Sequence, residues 1–175
     1  MITIKYYYTD KQYKELLSNI VIQIDKREKS NQHIINWLDE NNINHTFKSF
    51  ESGDYGFIIK KNEELGFSRD TYFVDELFIE RKHDLDELAG NLKDSAFLNE
   101  IKRTKNIKHK YIIIENGSWD DILNHNYKSK YNELAFFRTM LKLQSKYNIH
   151  IMFTNKSPEI IYNICKNILD LNILK

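Results

Sequence analysis

The sequence predicts an α/β fold built on a mixed central sheet, with helices on both of its faces. Three observations carry this reading. Predominantly apolar runs at residues 20–24, 111–114 and 149–153 are each followed by a segment of helical periodicity, the pattern of strands covered on two sides. Between the first and second runs, extended stretches at 45–50, 55–60 and 71–82 follow one another closely, which gives the middle of the chain an antiparallel look. The 175 residues are 41% hydrophobic and 29% charged, the balance of a globular domain able to bury a core.

The elements follow in order. Residues 2–8 read as a short strand and residues 10–17 as a helix. The buried strand 20–24 ends in Asp25-Lys26-Arg27-Glu28. Ser30 is placed to cap a helix through residue 41, in which Ile34, Ile35, Trp37 and Leu38 recur at helical spacing. Strands 45–50 and 55–60 are joined by a turn containing Ser52-Gly53-Asp54. A polar connection with Gly66 leads to strand 71–82, then to helices over 84–91 and 95–104. Strand 111–114 ends at Glu115, and Asn116-Gly117 turns the chain. A helix over 132–147 carries Leu134, Phe137, Met140 and Leu141. After strand 149–153, Ser157-Pro158 opens a last helix through 169, with proline in the favoured first turn.

No repeat and no linker rich in Gly, Pro or Ser interrupts the chain, so residues 1–175 read as one domain. Without an apolar stretch of 18 residues or a signal-peptide pattern, the expectation is an intracellular, cytoplasmic protein with no membrane partner. One cysteine, Cys165, excludes an internal disulfide and a cysteine-rich zinc site. Its apolar neighbours Ile161, Ile164, Ile168 and Leu169 imply a buried helix residue. A net charge of +1 rules out a uniformly basic surface, but an acidic metal pocket and a basic rim can nearly cancel. Five glycines supply neither a phosphate-cradling loop nor a Gly-x-Ser-x-Gly elbow, so nucleotide-driven motors and serine hydrolases are unsupported.

The residues that carry chemistry are acidic and basic. Glu80-Arg81-Lys82 closes the apolar run 72–79, and alternation along a strand projects Glu80 and Lys82 to the same side. Asp86 follows four residues after the lysine, and Gly53-Asp54 opens a strand upstream. Two acids from separate strands can hold a divalent metal beside a phosphate, with Asp54 and Glu80 as ligands and Mg²⁺ or Mn²⁺ as the ion. Lys82 would orient or deprotonate the attacking water, or neutralise phosphate charge. The triplet alone is weak: Glu100-Ile101-Lys102 also matches it, and there a solvated helix face is the plainer reading. The setting of Glu80-Arg81-Lys82 distinguishes it.

Taken together, Gly53-Asp54, Glu80-Arg81-Lys82 with three residues before Asp86, and Asp25-Lys26-Arg27-Glu28 resemble the signature of XPF-type structure-selective endonucleases. Those proteins belong to the restriction-endonuclease-like superfamily of metal nucleases. The resemblance covers roughly residues 21–169. It implies a restriction-endonuclease-like fold and a metal-dependent DNA endonuclease acting on branched or flap DNA in recombination, repair or replication. By it, Asp54 and Glu80 bind metal and Lys82 is catalytic. Asp25, Arg27, Glu28, Arg81 and Asp86 line the site, the arginines and Asp86 holding geometry or touching the scissile phosphate. Read without the family, Asp25 and Glu28 are a turn and helix-start cluster.

Two departures limit the carry-over. Residues 90–103 do not match the Ser-Ile-x-Asp-Gly-Arg pattern of eukaryotic and archaeal members, and no tandem helix-hairpin-helix module follows. The expectation is a stand-alone nuclease domain. Richness in Asn, Ile and Lys suggests a phage or mobile element of an AT-rich bacterium as source.

Residues 102–110 hold five positive charges and no acid. Lys102, Arg103, Lys105, Lys108 and Lys110 can thus form a phosphate-positioning loop, or a solvated connection; both readings stand. Most of the eleven tyrosines and ten phenylalanines lie at core spacing, but Tyr6-Tyr7-Tyr8 and Tyr55, next to Asp54, could meet nucleic acid. The last two helices are apolar over a wide arc, and in the resembled family this half forms the dimer surface. A homodimer and a deep monomeric core are both open. The six histidines show no ligand-like pairing, and His83 alone lies near the proposed site in sequence. Two other functions compete: a catalytically inactive DNA-binding module of the same fold, and a protein-interaction module using its apolar C-terminal helices.

Overall fold

The computed structural model describes residues 7–173. Its sheet contains seven strands: β1 (Ile20–Asp25), β2 (Asn44–Lys48), β3 (Tyr55–Ile59), β4 (Thr71–Tyr72), β5 (Leu77–Asp84), β6 (His109–Asn116) and β7 (Ile149–Phe153). The spatial order is β2-β1-β3-β5-β6-β7, with β4 paired to β3. The pairs β1–β2, β5–β6 and β6–β7 are parallel, and β3 runs antiparallel to β1, β4 and β5. The sheet is therefore mixed, with β3 as the reversed strand. The expected turn between 45–50 and 55–60 exists, but it crosses β1 rather than closing a hairpin.

The helices are α1 (Asp10–Ser18), α2 (Gln32–Glu40), α3 (Leu85–Lys93), α4 (Ser95–Arg103), α5 (Trp119–Leu123), α6 (Glu133–Tyr147) and α7 (Ser157–Ile173). Alternation along the strands divides the interior into two cores. Ile22, Ile24, Phe57, Ile79 and Ile113 pack against Leu16, Ile34, Leu38 and the α7 residues Ile161, Ile168 and Leu169. On the other face Ile112 and Ile114 meet Leu88, Phe97, Ile101, Ile122, Phe136 and Met140 from α3 to α6. Cys165 is fully buried in the first core, as its neighbours implied.

Several expectations shift in detail. The strand at 2–8 lies outside the described residues except for its last two. The stretch 71–82 is two strands, because the chain turns at Phe73, whose carbonyl accepts from the Glu76 and Leu77 amides at 3.0 and 3.1 Å. That turn releases the chain from β3 so that β5 can run beside β6. Ser30 does not cap α2: it takes φ 54° to redirect the chain, and Asn31 holds the cap position without a side-chain bond. β7 is not a buried strand but a sheet edge, with His150 exposed. The five-residue α5, started by Ser118 accepting from the Asp121 amide, is too short to show periodicity in sequence.

Candidate active site

The register of β5 against β6 sets the chemistry. Glu80 and Lys82 pair with Ile112 and Ile114, so their side chains enter the α3–α4 side of the sheet, while Arg81 pairs with Ile113 and points to the α2–α7 side. Lys82 Nζ lies 2.6 Å from Glu80 Oε1 and 3.7 Å from Glu87 Oε1, and stands 4.9 Å from the centre of the Phe97 ring. Both members of the close pair are almost wholly buried, at 6% exposure for Glu80 and 5% for Lys82.

Asp54 arrives from the neighbouring strand. Gly53 precedes it at φ 80°, a conformation side chains resist, and a Cβ there would stand 3.0 Å from the Ile79 carbonyl oxygen. The Asp54 amide donates to the Ile79 carbonyl at 2.7 Å, and its carbonyl accepts from the Asp25 amide at 2.8 Å. Its Oδ2 accepts from the Arg81 amide at 2.8 Å, so the carboxylate sits against the backbone that separates Glu80 from Lys82. The sequence-predicted trio thus meets in one place.

Burial and mutual repulsion dominate the electrostatics. Burial first, then the charges of Glu80 and Glu28, hold the Asp54 carboxyl well above the usual aspartate value. Burial likewise pushes Glu80 up to about 7, against the opposing pull of the Lys82 ammonium. Burial works to discharge Lys82, but the Glu80 and Asp54 carboxylates outweigh it and hold the ammonium above its ordinary value. Lys82 is accordingly a cation at neutral pH.

A sequence model of the ERCC4 domain matches residues 24–166. The chain belongs to the ERCC4 domain family. Its fold is similar to that of XPF from Aeropyrum pernix, with a TM-score of 0.61 at 19% identity over 84% of this chain and 64% of that one. The same protein solved in complex with DNA gives 0.62 at 19% identity, covering 86% of this chain and 66% of that one. The chain spans just under two thirds of the length of both, and the likeness establishes the restriction-endonuclease-like fold. No curated protein sequence matches.

Around the trio of this ERCC4 domain, Asp25, Arg27, Glu28 and Arg81 are struts. Asp25, 1% exposed, accepts four hydrogen bonds: from the Arg27 amide (2.7 Å), Arg27 Nε (2.9 Å), Arg27 Nη2 (3.0 Å) and the Phe50 amide (2.7 Å). Arg27 Nη2 also reaches the Phe50 carbonyl at 2.8 Å, so this pair ties the end of β1 to the loop that delivers Asp54. Arg81 donates from Nε to Glu28 Oε1 at 2.6 Å, from Nη1 to Glu115 Oε2 at 2.7 Å and from Nη2 to the Lys29 carbonyl at 3.0 Å. Glu115 is held further by His33 Nε2 at 2.6 Å and by the Ser157 hydroxyl. This network occupies the face opposite Lys82, and His83 belongs to it, its ring 3.6 Å from Glu115.

Two predicted residues lie elsewhere. Asp86 accepts from the Lys128 and Ser129 amides at 2.8 and 2.6 Å and pins the loop before α6, away from Glu80. Tyr55 is 2% exposed on the Arg81 side and donates its hydroxyl to Glu28 at 3.1 Å, so it offers no surface to nucleic acid. The basic segment divides. Lys102, Arg103 and Lys105 are exposed, Lys108 pairs with Glu76 at 3.0 Å, and Lys110 turns inward to the Ile107 carbonyl at 3.0 Å. Arg103 and Glu80 line one cleft of about 380 Å³ with Asn91, Asp94, Phe97 and Glu100. Arg103 also lines an adjoining groove of about 700 Å³ that runs past Lys48, Ser52 and Asn106.

Sequence reading missed Phe97, Glu87, Glu100 and Glu115. The triplet at Glu100 reads in sequence as a solvated helix face, yet Glu100 Oε1 accepts from the Gly53 amide at 3.0 Å. The usable signal was Phe97 and Ile101, whose burial turns the adjoining Glu100 toward the sheet.

The donor set suits a hard divalent cation. Two carboxylates kept high by burial and repulsion are stabilised by any positive charge between them. Among the described residues no three His, Cys, Asp or Glu side chains form a closed cage. A magnesium ion in general needs only one or two protein carboxylates, with water completing its octahedron.

Proposed function

We propose that this ERCC4 domain is a metal-dependent DNA endonuclease that hydrolyses phosphodiester bonds. The observation that carries the reading is the convergence of Asp54, Glu80 and Lys82 beside an open cleft. Asp54 and Glu80 would hold Mg²⁺, with Mn²⁺ as a substitute, and the bound ion supplies Lewis acidity and a more acidic water. Lys82 keeps its proton at neutral pH, so its part is to neutralise phosphate charge and orient the water rather than to act as the base. Arg103, which lines the same cleft, would bind the phosphate backbone, with the exposed Lys102 and Lys105 near it in sequence. The XPF of Aeropyrum pernix solved with DNA has this fold, which supports DNA as the substrate.

Branched or flap DNA in recombination, repair or replication is the finer proposal, and a bacterial or phage-infected cytoplasm its setting. No described helix is long and apolar enough to cross a membrane. A homodimer through the C-terminal helices belongs to the same reading. The α7 residues Ile161, Ile164, Ile168 and Leu169 are spent on the core, whereas Leu134 and Leu141 on α6 and Leu171 on α7 are 52%, 44% and 54% exposed. Light scattering of the purified chain tests that point.

The deciding experiment is a cleavage panel of flap, fork, junction, single-stranded and duplex DNA with Mg²⁺, Mn²⁺ and EDTA. Chelator-sensitive cleavage that is lost in Asp54→Ala is expected. Absence of cleavage on every substrate would favour the inactive-module reading.

A further inference from the structure

The α4 helix does more than wall the cleft. Its Phe97 and Glu100 are three residues apart and so share a helical face. The Phe97 ring lies under the Lys82 ammonium at 4.9 Å, while Glu100 Oε1 accepts the Gly53 amide proton at 3.0 Å. Ile101, fully buried, and Phe97, 6% exposed, fix the helix to the sheet, so Glu100 is delivered by a rigid element.

The amide it takes belongs to the residue before Asp54. Gly53 is the hinge of this approach, with φ 80° and no room for a Cβ, which would stand 3.0 Å from the Ile79 carbonyl oxygen and 3.1 Å from the Phe78 ring. On its far side Asp54 is clamped to Ile79 and Asp25 through its backbone and to the Arg81 amide through its carboxylate. All three of those clamps act at Asp54 or beyond it; before it, Asp25 and Arg27 hold Phe50, and Glu100 holds Gly53 itself. Glu100 lines the same cleft as Glu80 and Arg103, so its carboxylate stands beside the site.

We infer that Glu100 is a positioning residue: through the Gly53 amide it fixes the angle at which Asp54 enters the site, and so the site's grip on its divalent ion. The inference rests on the metal-dependent reading above. It requires the hydrogen-bond acceptor and its reach, not the negative charge, and this separates it from direct ligation of metal by Glu100.

Three variants test it: Glu100→Ala removes the acceptor, Glu100→Asp keeps the charge but withdraws the oxygen by one methylene, and Glu100→Gln keeps an acceptor without charge. The readouts are Mn²⁺ binding followed by electron paramagnetic resonance, kcat and KM on a flap substrate, and the melting temperature. Supporting oxygens of this kind are worth about 10- to 100-fold in metal affinity or rate. Glu100→Ala and Glu100→Asp are expected to weaken Mn²⁺ binding and lower kcat within that range, with KM for DNA unchanged. Glu100→Gln should stay within about threefold of wild type, since an amide oxygen accepts the same bond. Wild-type Mn²⁺ affinity in Glu100→Ala, or a loss in Glu100→Gln as large as in Glu100→Ala, overturns the assignment. If the wild-type chain cleaves no DNA, the nuclease reading fails, and the Mn²⁺ titrations decide the role of Glu100 on their own.

Discussion

The ammonium of Lys82 lies 2.6 Å from the Glu80 carboxylate in a place where both side chains are almost wholly buried. A buried pair of this kind is retained at a cost in desolvation, which points to use rather than stability. Removing the lysine leaves Glu80 to hold a proton instead of a partner. Lys82→Ala is therefore expected to keep its fold at pH 6 and to lose about 10²- to 10⁴-fold in cleavage. Circular dichroism alongside initial rates checks both halves, and activity within tenfold of wild type would remove Lys82 from the chemistry.

Asp54 carries the opposite bargain. Its charge is unwelcome beside Glu80, and an asparagine retains the oxygen that accepts from the Arg81 amide. Asp54→Asn should raise stability of the metal-free protein by about 1 kcal/mol, some 2–4 °C in Tm for a chain of this size, while abolishing Mg²⁺-dependent cleavage. A lowered Tm, or retained cleavage, contradicts the assignment of a strained, metal-binding carboxylate.

Acidity gives an independent handle. The unfolded chain releases the Glu80 proton near 4.5, whereas the folded chain keeps it to about 7. Between those values the folded state binds the extra proton, so stability falls as pH rises, by on the order of 3 kcal/mol across the window. Asp54 shifts in the same direction. Asp25 and Glu115 shift downward, held by Arg27 and by Ser157, His33 and Arg81 against the opposing effect of burial. Their contribution is present above the usual carboxylate range and is lost only in stronger acid. The metal-free protein should melt highest near pH 5 and progressively lower toward pH 8. Magnesium binds the ionised carboxylates, so its stabilisation should be larger at pH 8 than at pH 5.5. Thermal melts across pH with and without Mg²⁺ would show a flat profile if the acids are not raised.

How much of this was readable beforehand depends on what each residue's neighbours come from. The alternation of Glu80 and Lys82 on one strand is local, and their shared side follows from the backbone period alone. The meeting of Asp54 with Glu80 is not local, because it needs the reversed strand β3 to lie beside β5; metal chemistry suggested the pairing and the family resemblance strengthened it. Asp86 and Tyr55 show the limit of sequence proximity. Asp86 is four residues from Lys82, but the chain has already turned into α3, where its carboxylate serves the loop at Lys128. Tyr55 adjoins Asp54 yet points to the other face, since neighbours on a strand must. Glu100 was hidden for the converse reason, its partner Gly53 being 47 residues away.

Arg81 supplies a test of the framework behind the site. Its guanidinium is buried and reaches Glu28, Glu115 and the Lys29 carbonyl in three directions. Arg81→Ala leaves two carboxylates without that partner and is expected to cost about 3–5 kcal/mol. Arg81→Lys restores one charge but cannot satisfy a planar fork, so it should recover less than half of the loss. Urea denaturation measures both, and a wild-type midpoint for either variant would mean the network is not what holds this end of the sheet.

The division of the basic segment makes the last prediction. A cation that touches phosphate releases counterions from DNA, and its removal lowers the slope of log affinity against log salt by about 1. Arg103 lines the cleft and Lys105 stands exposed beside it, so Arg103→Ala and Lys105→Ala should each weaken DNA binding and flatten that slope. Lys110 belongs to the same run of sequence but is 5% exposed and donates inward to Ile107. Lys110→Met should leave the salt slope unchanged. Anisotropy titrations of labelled DNA over a range of salt distinguish the two groups, and an equal change for Lys110 and Arg103 would mean that DNA binds across the segment rather than at the cleft mouth.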